Sequence, residues 1–422
     1  MLMPVSISRS VLIVVENLPV PLDRRVWLEA TTLVQAGYEV SVICPMGRGW
    51  DAPREVIEGV HIYRHPAPPE AHSGVVAYAR EYLHAIQHWF CLARIVRRER
   101  GFEVIHGCNP PDLIFLLALR YRLGGVRYLF DHHDVCPELF EAKFGRRGLL
   151  WRLMLLFERL TFAVADVSIS TNESFRRIAI NRGRMSPEDV FTVRSAPRID
   201  KFRPGPGDAS IRKGAKTVLG YVGVIGQQEG MDLLIEAFDL LGCQLGHVDV
   251  HLVVVGFGPH LQAVKEDVAA RGLDDRVTFT GARYGDELLT ILNEIDIGVA
   301  PDPKNAMNDI STMNKVMEYM TLEKPLVQFD LTEGRASAGD AALYASANDP
   351  GDFARCLARL IEDPELRSRL GRVGRARVLE TLSWSASAPH LLAAYDRVFG
   401  KLHPDQSDAA RIKPPKARAS AP

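Results

Sequence analysis

Short runs of Val, Ile and Leu alternate along this chain with longer stretches whose apolar residues recur every three to four positions. Residues 11–16, VLIVVE, are apolar without polar alternation, as in a strand buried on both faces. Helical spacing follows over 26–35, Gly37 closes it, and 39–44 is the next apolar run. Strand, helix, strand in so short a span is a βαβ unit, whose handedness implies a parallel sheet. The rhythm predicts further strands at 59–64, 103–106, 127–131, 166–170 and 190–194, with helices at 75–100, after Pro111 and at 149–164.

Residues 204–216, PGPGDASIRKGAK, break the rhythm and read as a linker. Strands are then expected at 217–222, 251–255, 276–280, 295–300 and 325–329, and helices at 231–241, 259–270 and 286–293. Past Asp349 the chain reads as helices at 352–362, 364–380 and 384–399. The expected organisation is a Rossmann-like domain over 1–203, a second over 204–382, a final helix over 383–400 and a disordered tail over 401–422. Ligands of such sheets bind beyond the carboxyl ends of the strands, here in the cleft between the two units.

Composition narrows the function classes. With 422 residues, 47% hydrophobic and 24% charged, the chain has material for two cores. A net charge of −1 argues against a nucleic-acid partner. Six scattered cysteines form no C-x-x-C pair, which points to a reducing compartment and away from zinc or a disulfide framework. No run is long enough to span a bilayer, and the early apolar run leads into Glu16 without a cleavage site, so a cytoplasmic location is expected.

The stretch with most chemistry is 308–325, NDISTMNKVMEYMTLEKP. Met313, Val316, Met317 and Met320 make an apolar stripe at helical spacing, while Ser311, Asn314, Lys315 and Glu318 make a polar one. Ser311 or Thr312 is the expected N-cap. Free amides at a helix start and a lysine one turn in suit a diphosphate, and a carboxylate one turn further suits ribose hydroxyls. The plainer reading is a buried helix with a surface Lys315–Glu318 pair. Gly223-Val-Ile-Gly226 and Gly256-Phe-Gly258 each follow a strand and could let backbone approach a diphosphate, though neither matches G-x-G-x-x-G.

In the first half, DHHDVCPELF at 131–140 sits where a doubly wound sheet presents its site loops. Adjacent residues on extended chain point to opposite faces, so His132 and His133 cannot easily share one metal ion. One is expected to face the cleft and the other to pack. Asp134, Glu138 and the 106–112 loop with Asn109 share that edge. Asp23, Arg24 and Arg25 fall between the first strand and its helix, either near the cleft or as a capped start with surface arginines.

NKVMEYMTLEKP at 314–325, GDAALYA at 339–345, DHHDVCPE at 131–138 and the DPELR…G…SW stretch at 363–384 resemble the retaining glycosyltransferases of family 4, over nearly the whole of 11–399. The resemblance implies the GT-B fold, with two Rossmann-like domains facing a cleft and the last helix crossing back to the first domain. It implies a nucleoside-diphosphate sugar, UDP-linked, on the second domain and a glycan or lipid-linked acceptor on the first, in bacterial surface-polysaccharide assembly. No cofactor or metal is implied. Glu318 would hold the ribose, and His133, less readily His132, would line the donor sugar or acceptor face, with Asn109, Asp134 and Glu138 on the acceptor side. The family's first glutamate would fall at Ile310, leaving Asp309 or the amides of Ser311, Thr312 and Met313 for the sugar hydroxyls. The family's Arg and Lys after the first strand of the second domain are replaced by Gln227, Gln228 and Glu229, so Lys315 and Arg283 are the expected substitutes. Rival readings are a nucleotide-sugar epimerase on this fold and a non-catalytic binding protein. The basic, apolar stretch at 146–156 is either a core helix or a peripheral contact with a membrane.

Overall fold

A strand buried on both faces requires a helix on each side of its sheet, and both halves of the chain meet that requirement. In the computed structural model, which describes residues 9–67, 75–145, 147–197, 199 and 201–402, the first half runs β1 (Ser10–Val15), α1 (Arg24–Gln35), β2 (Glu39–Pro45), β3 (Arg54–Ile57), β4 (Val60–His65), α2 (Val75–Glu99), β5 (Val104–Cys108), α3 (Phe115–Arg122), β6 (Arg127–His132), α4 (Cys136–Phe144), α5 (Leu149–Val164), β7 (Val167–Ser170), α6 (Glu173–Asn181) and β8 (Val190–Thr192). The second runs β9 (Thr217–Val222), α7 (Met231–Cys243), β10 (Val250–Val255), α8 (Leu261–Ala270), β11 (Val277–Gly281), α9 (Gly285–Glu294), β12 (Ile297–Ala300), α10 (Asn314–Thr321), β13 (Leu326–Phe329), α11 (Thr332–Ala338), β14 (Ala342–Ala345), α12 (Pro350–Glu362), α13 (Pro364–Arg377) and α14 (Trp384–Leu402).

The first sheet has strand order β3-β4-β2-β1-β5-β6-β7-β8 and the second β11-β10-β9-β12-β13-β14. All pairings are parallel except β3 with β4. Chain order reverses between β1 and β5 in one sheet and between β9 and β12 in the other. These are the switch points at which such sheets open a crevice.

One face of the first sheet is covered by α1 and by α14, whose Leu391, Tyr395, Val398 and Phe399 join the core of Val11, Ile13 and Val40. Trp384 Nε1 donates to Thr32 Oγ1 at 2.8 Å, so the last helix is fastened to the first half of the chain. The other face is covered by α2 and α3 with Phe162 of α5. The second sheet lies between a layer containing α7 and α12 and one containing α9 and α10.

The differences from expectation are local. The short edge strand β3, the strand β14 and the helices α4, α6 and α11 lie outside the expected elements. α4 opens with Cys136-Pro137, inside the segment read as a site loop. The expected helix at 364–380 gives way at Val378 to a π-helical turn over Val378–Leu382. The tail expected to be disordered lies, from residue 403 on, outside the described residues.

Candidate active site

At the carboxyl end of β9 the chain turns through Gly223 (φ +155°) and closes against the turn after β10 at Gly256 (φ +151°). A Cβ on Gly256 would stand 1.9 Å from the Gly223 carbonyl oxygen, so the turns touch backbone to backbone. Gly226 opens the helical turn Gln227–Glu229. That turn reaches the loop after β12, where Asn308 Nδ2 donates to Gln228 O at 3.0 Å.

Lys315, one residue into α10, points into this corner. It is buried; its Nζ donates to Asp302 Oδ1 at 2.8 Å, lies 3.6 Å from Glu229 Oε2 and sits 4.7 Å from the Tyr221 ring centre. Burial alone pushes the Lys315 pKa down, but Asp302, Tyr221 and Glu229 outweigh it and hold the amine well above the usual lysine range. Burial raises the Glu229 carboxyl to about 7, against the pull of Lys315 and with the push of Asp302. The lysine is thus a fixed cation, placed by two acids contributed from the β9 and β12 loops.

The start of α10 departs from expectation. Neither Ser311 nor Thr312 caps it: the helix begins at Asn314 with Met313 in the cap position and no side-chain cap bond. Ser311 Oγ instead donates to Met307 O at 2.7 Å, and Thr312 Oγ1 accepts from Asn172 Nδ2 of the first half at 3.0 Å. Asn314 is exposed and Met313 half-buried beside these first amides. The remaining residues, Lys315 to Thr321, are all buried, so the predicted polar stripe is not a solvent face.

Lys315 and Glu318 do not pair with each other. Glu318 is buried and accepts from Arg24 Nη1, across the cleft, at 2.9 Å. Asp309 accepts from Thr332 N at 2.9 Å and Thr332 Oγ1 at 3.0 Å, and lies 3.4 Å from Lys304. Its carboxylate therefore caps α11 rather than standing free in place of the missing glutamate. Arg283 is exposed beyond β11 and pairs with Glu287 at 3.5 Å; β10 and β9 lie between β11 and β12, the strand that precedes Lys315.

The facing edge is built on Asp131, the last residue but one of β6. It accepts from Arg25 Nη2 at 2.7 Å and Nε at 3.0 Å, and from His133 Nε2 in a short bond. Burial pushes the Asp131 carboxyl up, but Arg25 and His133 outweigh it and hold it well below the usual carboxylate range. Burial and then Asp131 push neighbouring Glu29 well above that range, against the pull of Arg25, so the two buried acids are driven in opposite directions. Arg25 is thus no surface arginine, whereas Asp23 does cap α1, accepting from Val26 N at 3.1 Å. Glu29, His106, Cys108 and Asp131 bring possible metal-ligand atoms within 4.8 Å of one another. Arg25, 3.1 Å from Glu29 Oε1, already supplies a cation there.

His132 and His133 part as alternate residues on extended chain must. His132 is fully buried among Phe130, Phe162 and Phe175, and burial lowers its pKa to about 3. His133 is half-buried at the cleft edge, with its backbone N donating to Asn109 Oδ1 at 2.6 Å. Asn109 also binds Asp134 N, Asp134 O and Asp112 Oδ1, so this buried side chain clamps the two loops together. Glu138 is held by Arg182 at 2.5 Å, which also holds Glu158 at 2.6 Å. Asp134 is half-buried at the same edge, and burial raises its pKa.

Asp302 and Asn172 went unread in the sequence. Their signal, a polar residue just past a strand's carboxyl end, was present. No sequence signal marks Glu29, which enters the site only through the packing of α1 on β6.

Residues 22–195 match a family model described as glycosyl transferase 4-like domain, and residues 216–363 match one described as glycosyl transferases group 1. Each half of the chain thus matches a glycosyltransferase model, and the two parallel sheets have the GT-B fold. It is 27% identical over 180 residues to the alpha-D-kanosaminyltransferase of Streptomyces kanamyceticus, a match spanning 42% of this chain and 45% of that one. The chain thus spans less than half the length of that relative. Among solved structures, sucrose-phosphate synthase of Thermosynechococcus elongatus superposes with a TM-score of 0.74 at 17% identity, covering 93% of this chain and 100% of that one. HepE of Anabaena in complex with UDP and glucose superposes with a TM-score of 0.68 at 14% identity, covering 92% and 99%. At such identities the likeness is one of fold.

Proposed function

We propose that the chain transfers a sugar from a nucleoside-diphosphate sugar, UDP-linked, to an acceptor hydroxyl with retention at the anomeric carbon. The reading extends to metal-independent, cytoplasmic assembly of a polysaccharide or glycolipid. The observation that carries it is the corner at the β9–β12 switch point: a buried lysine fixed by two acids, beside a helix start that no side chain caps. Breaking the bond from the anomeric carbon to the diphosphate leaves negative charge on that oxygen. Lys315 and the first amides of α10 are placed to stabilise it, and a preorganised cation does so without reorganising during the reaction. Glu318, one turn on, is assigned to the ribose hydroxyls in exchange for its bond to Arg24.

Retention follows from front-face attack. The acceptor oxygen forms its bond to the anomeric carbon on the side the diphosphate leaves, and the acceptor proton passes to the departing phosphate oxygen. His133, held by Asp131 on the facing edge, lines the donor sugar or acceptor side, with Asp134 beside it. The test is Glu318→Ala: UDP-sugar binding, followed by thermal shift, and turnover should both fall at least tenfold. Unchanged binding and turnover would remove α10 from the donor site. A thermal-shift panel of nucleoside diphosphates identifies the base, because a bound ligand stabilises by mass action.

A further inference from the structure

Away from the cleft, one surface carries a concentration of apolar side chains. Leu149, Leu153, Leu156 and Leu160 are exposed along α5, in steps of four, three and four that set them on one stripe. On α3, which packs beside α5, Leu116 and Leu119 are exposed, and Leu123 just past its end is fully so. With Phe144 at the end of α4, this surface holds eight of the eighteen exposed large hydrophobic residues among those described. A cluster of that kind marks a contact surface, whereas the other ten are scattered over the rest of the chain.

Charge selects the partner. α3 carries Arg120 and Arg122, both exposed, and no acid. α5 carries exposed Arg152 and Arg159, while its one acid, Glu158, is fully buried against Arg182. Every exposed charge on the two helices is therefore positive, and Arg152 and Arg159 have no ion-pair partner among the described residues. A twofold contact with a second copy would bring these arginines against themselves. Rows of leucine flanked by arginine instead match an anionic bilayer, with leucine entering the acyl boundary and guanidinium remaining at the phosphates. No helix among the described residues is long and apolar enough to cross a membrane.

We infer that the α3–α5 surface seats the chain on an anionic lipid bilayer without spanning it. The leucines at 149, 153 and 156 then belong to a two-helix contact face, while Phe162 of the same helix packs in the core. The inference stands on this surface alone and does not use the transfer reaction. The experiment is flotation of the chain with vesicles of phosphatidylcholine, with and without phosphatidylglycerol. Binding should require phosphatidylglycerol and weaken with salt. Leu153→Asp with Leu156→Asp should abolish it, and Arg152→Glu with Arg159→Glu should lower it roughly tenfold or more. The arginine variant changes only exposed positions and serves if the leucine variant does not fold; an unaltered melting curve and far-UV circular dichroism spectrum confirm an intact molecule. The inference is overturned if the wild type stays off both vesicle types or both variants float as it does. It is equally overturned if light scattering shows a dimer that Leu153→Asp with Leu156→Asp dissociates while vesicles remain unbound.

Discussion

Glu229 stands against Lys315 where a base was expected to meet a diphosphate. With a pKa near 7 it gives the corner a charge that changes in the working range. Below that value Glu229 is neutral and the lysine charge is balanced by Asp302 alone. Affinity for a UDP-sugar, whose diphosphate diester does not titrate there, should rise roughly three- to tenfold as pH falls from about 8 to 6. Isothermal titration should show that rise, and Glu229→Gln should flatten it at the tighter level.

His132 affects stability instead. Its folded-state pKa of about 3 lies below the unfolded value of about 6.5, so in acid the unfolded chain binds the proton more tightly. Its contribution is complete above about pH 6.5 and is lost progressively as pH falls towards 3. His132→Phe, which keeps a ring among Phe130, Phe162 and Phe175, should shallow the acid limb of a urea-denaturation series between about pH 6 and 4. A limb as steep as that of the wild type would show that other groups set it.

At the scale of elements, α10 is held by more than its methionines. Tyr319 Oη donates to Gly220 O at 2.9 Å and accepts from Val222 N at 3.1 Å, joining the helix to β9 beside the glycine turn. Tyr319→Phe leaves that amide without this partner and should cost about 1–3 kcal/mol, read as a lower urea midpoint. Gly298 on β12 makes room for the same ring, since a Cβ there would lie 2.4 Å from it. The helix position and its methionine stripe were legible because their spacing is intrinsic to the sequence. The N-cap was not, because the helix starts at Asn314 and leaves Ser311 and Thr312 before the cap position, bonded to Met307 O and Asn172.

For the whole molecule, α14 packs into the core of the first half, and polar contacts join the halves across the cleft. Arg24 bonds Glu318, Asn172 bonds Ile310 O at 2.9 Å, and Ser174 N donates to Glu333 Oε1 at 3.1 Å. On the proposed function Arg24 would compete with a donor for Glu318, and the arginine is largely exposed, so the pair is worth about 1 kcal/mol or less. Arg24→Ala should therefore tighten UDP-sugar binding severalfold while leaving the melting temperature nearly unchanged. Weaker binding would instead place the arginine among the donor's own contacts.

The sequence by itself determined the two parallel sheets, the last helix, the helical setting of Lys315 and Glu318 and the place of His133 just past a strand. Hydrophobic period and turn residues are local properties, and a parallel sheet follows from them by handedness. Only the tertiary structure decided which charges meet: Lys315 with Asp302 and Glu229, Glu318 with Arg24, Arg25 with Asp131 and Glu29, and Asp309 with the start of α11. It also decided that the leucines of α5 face outward, which periodicity leaves open because an apolar stripe looks the same whether it meets a core or a membrane. Coulomb energy depends on distance and burial, and both are settled only when segments far apart in the chain are brought together.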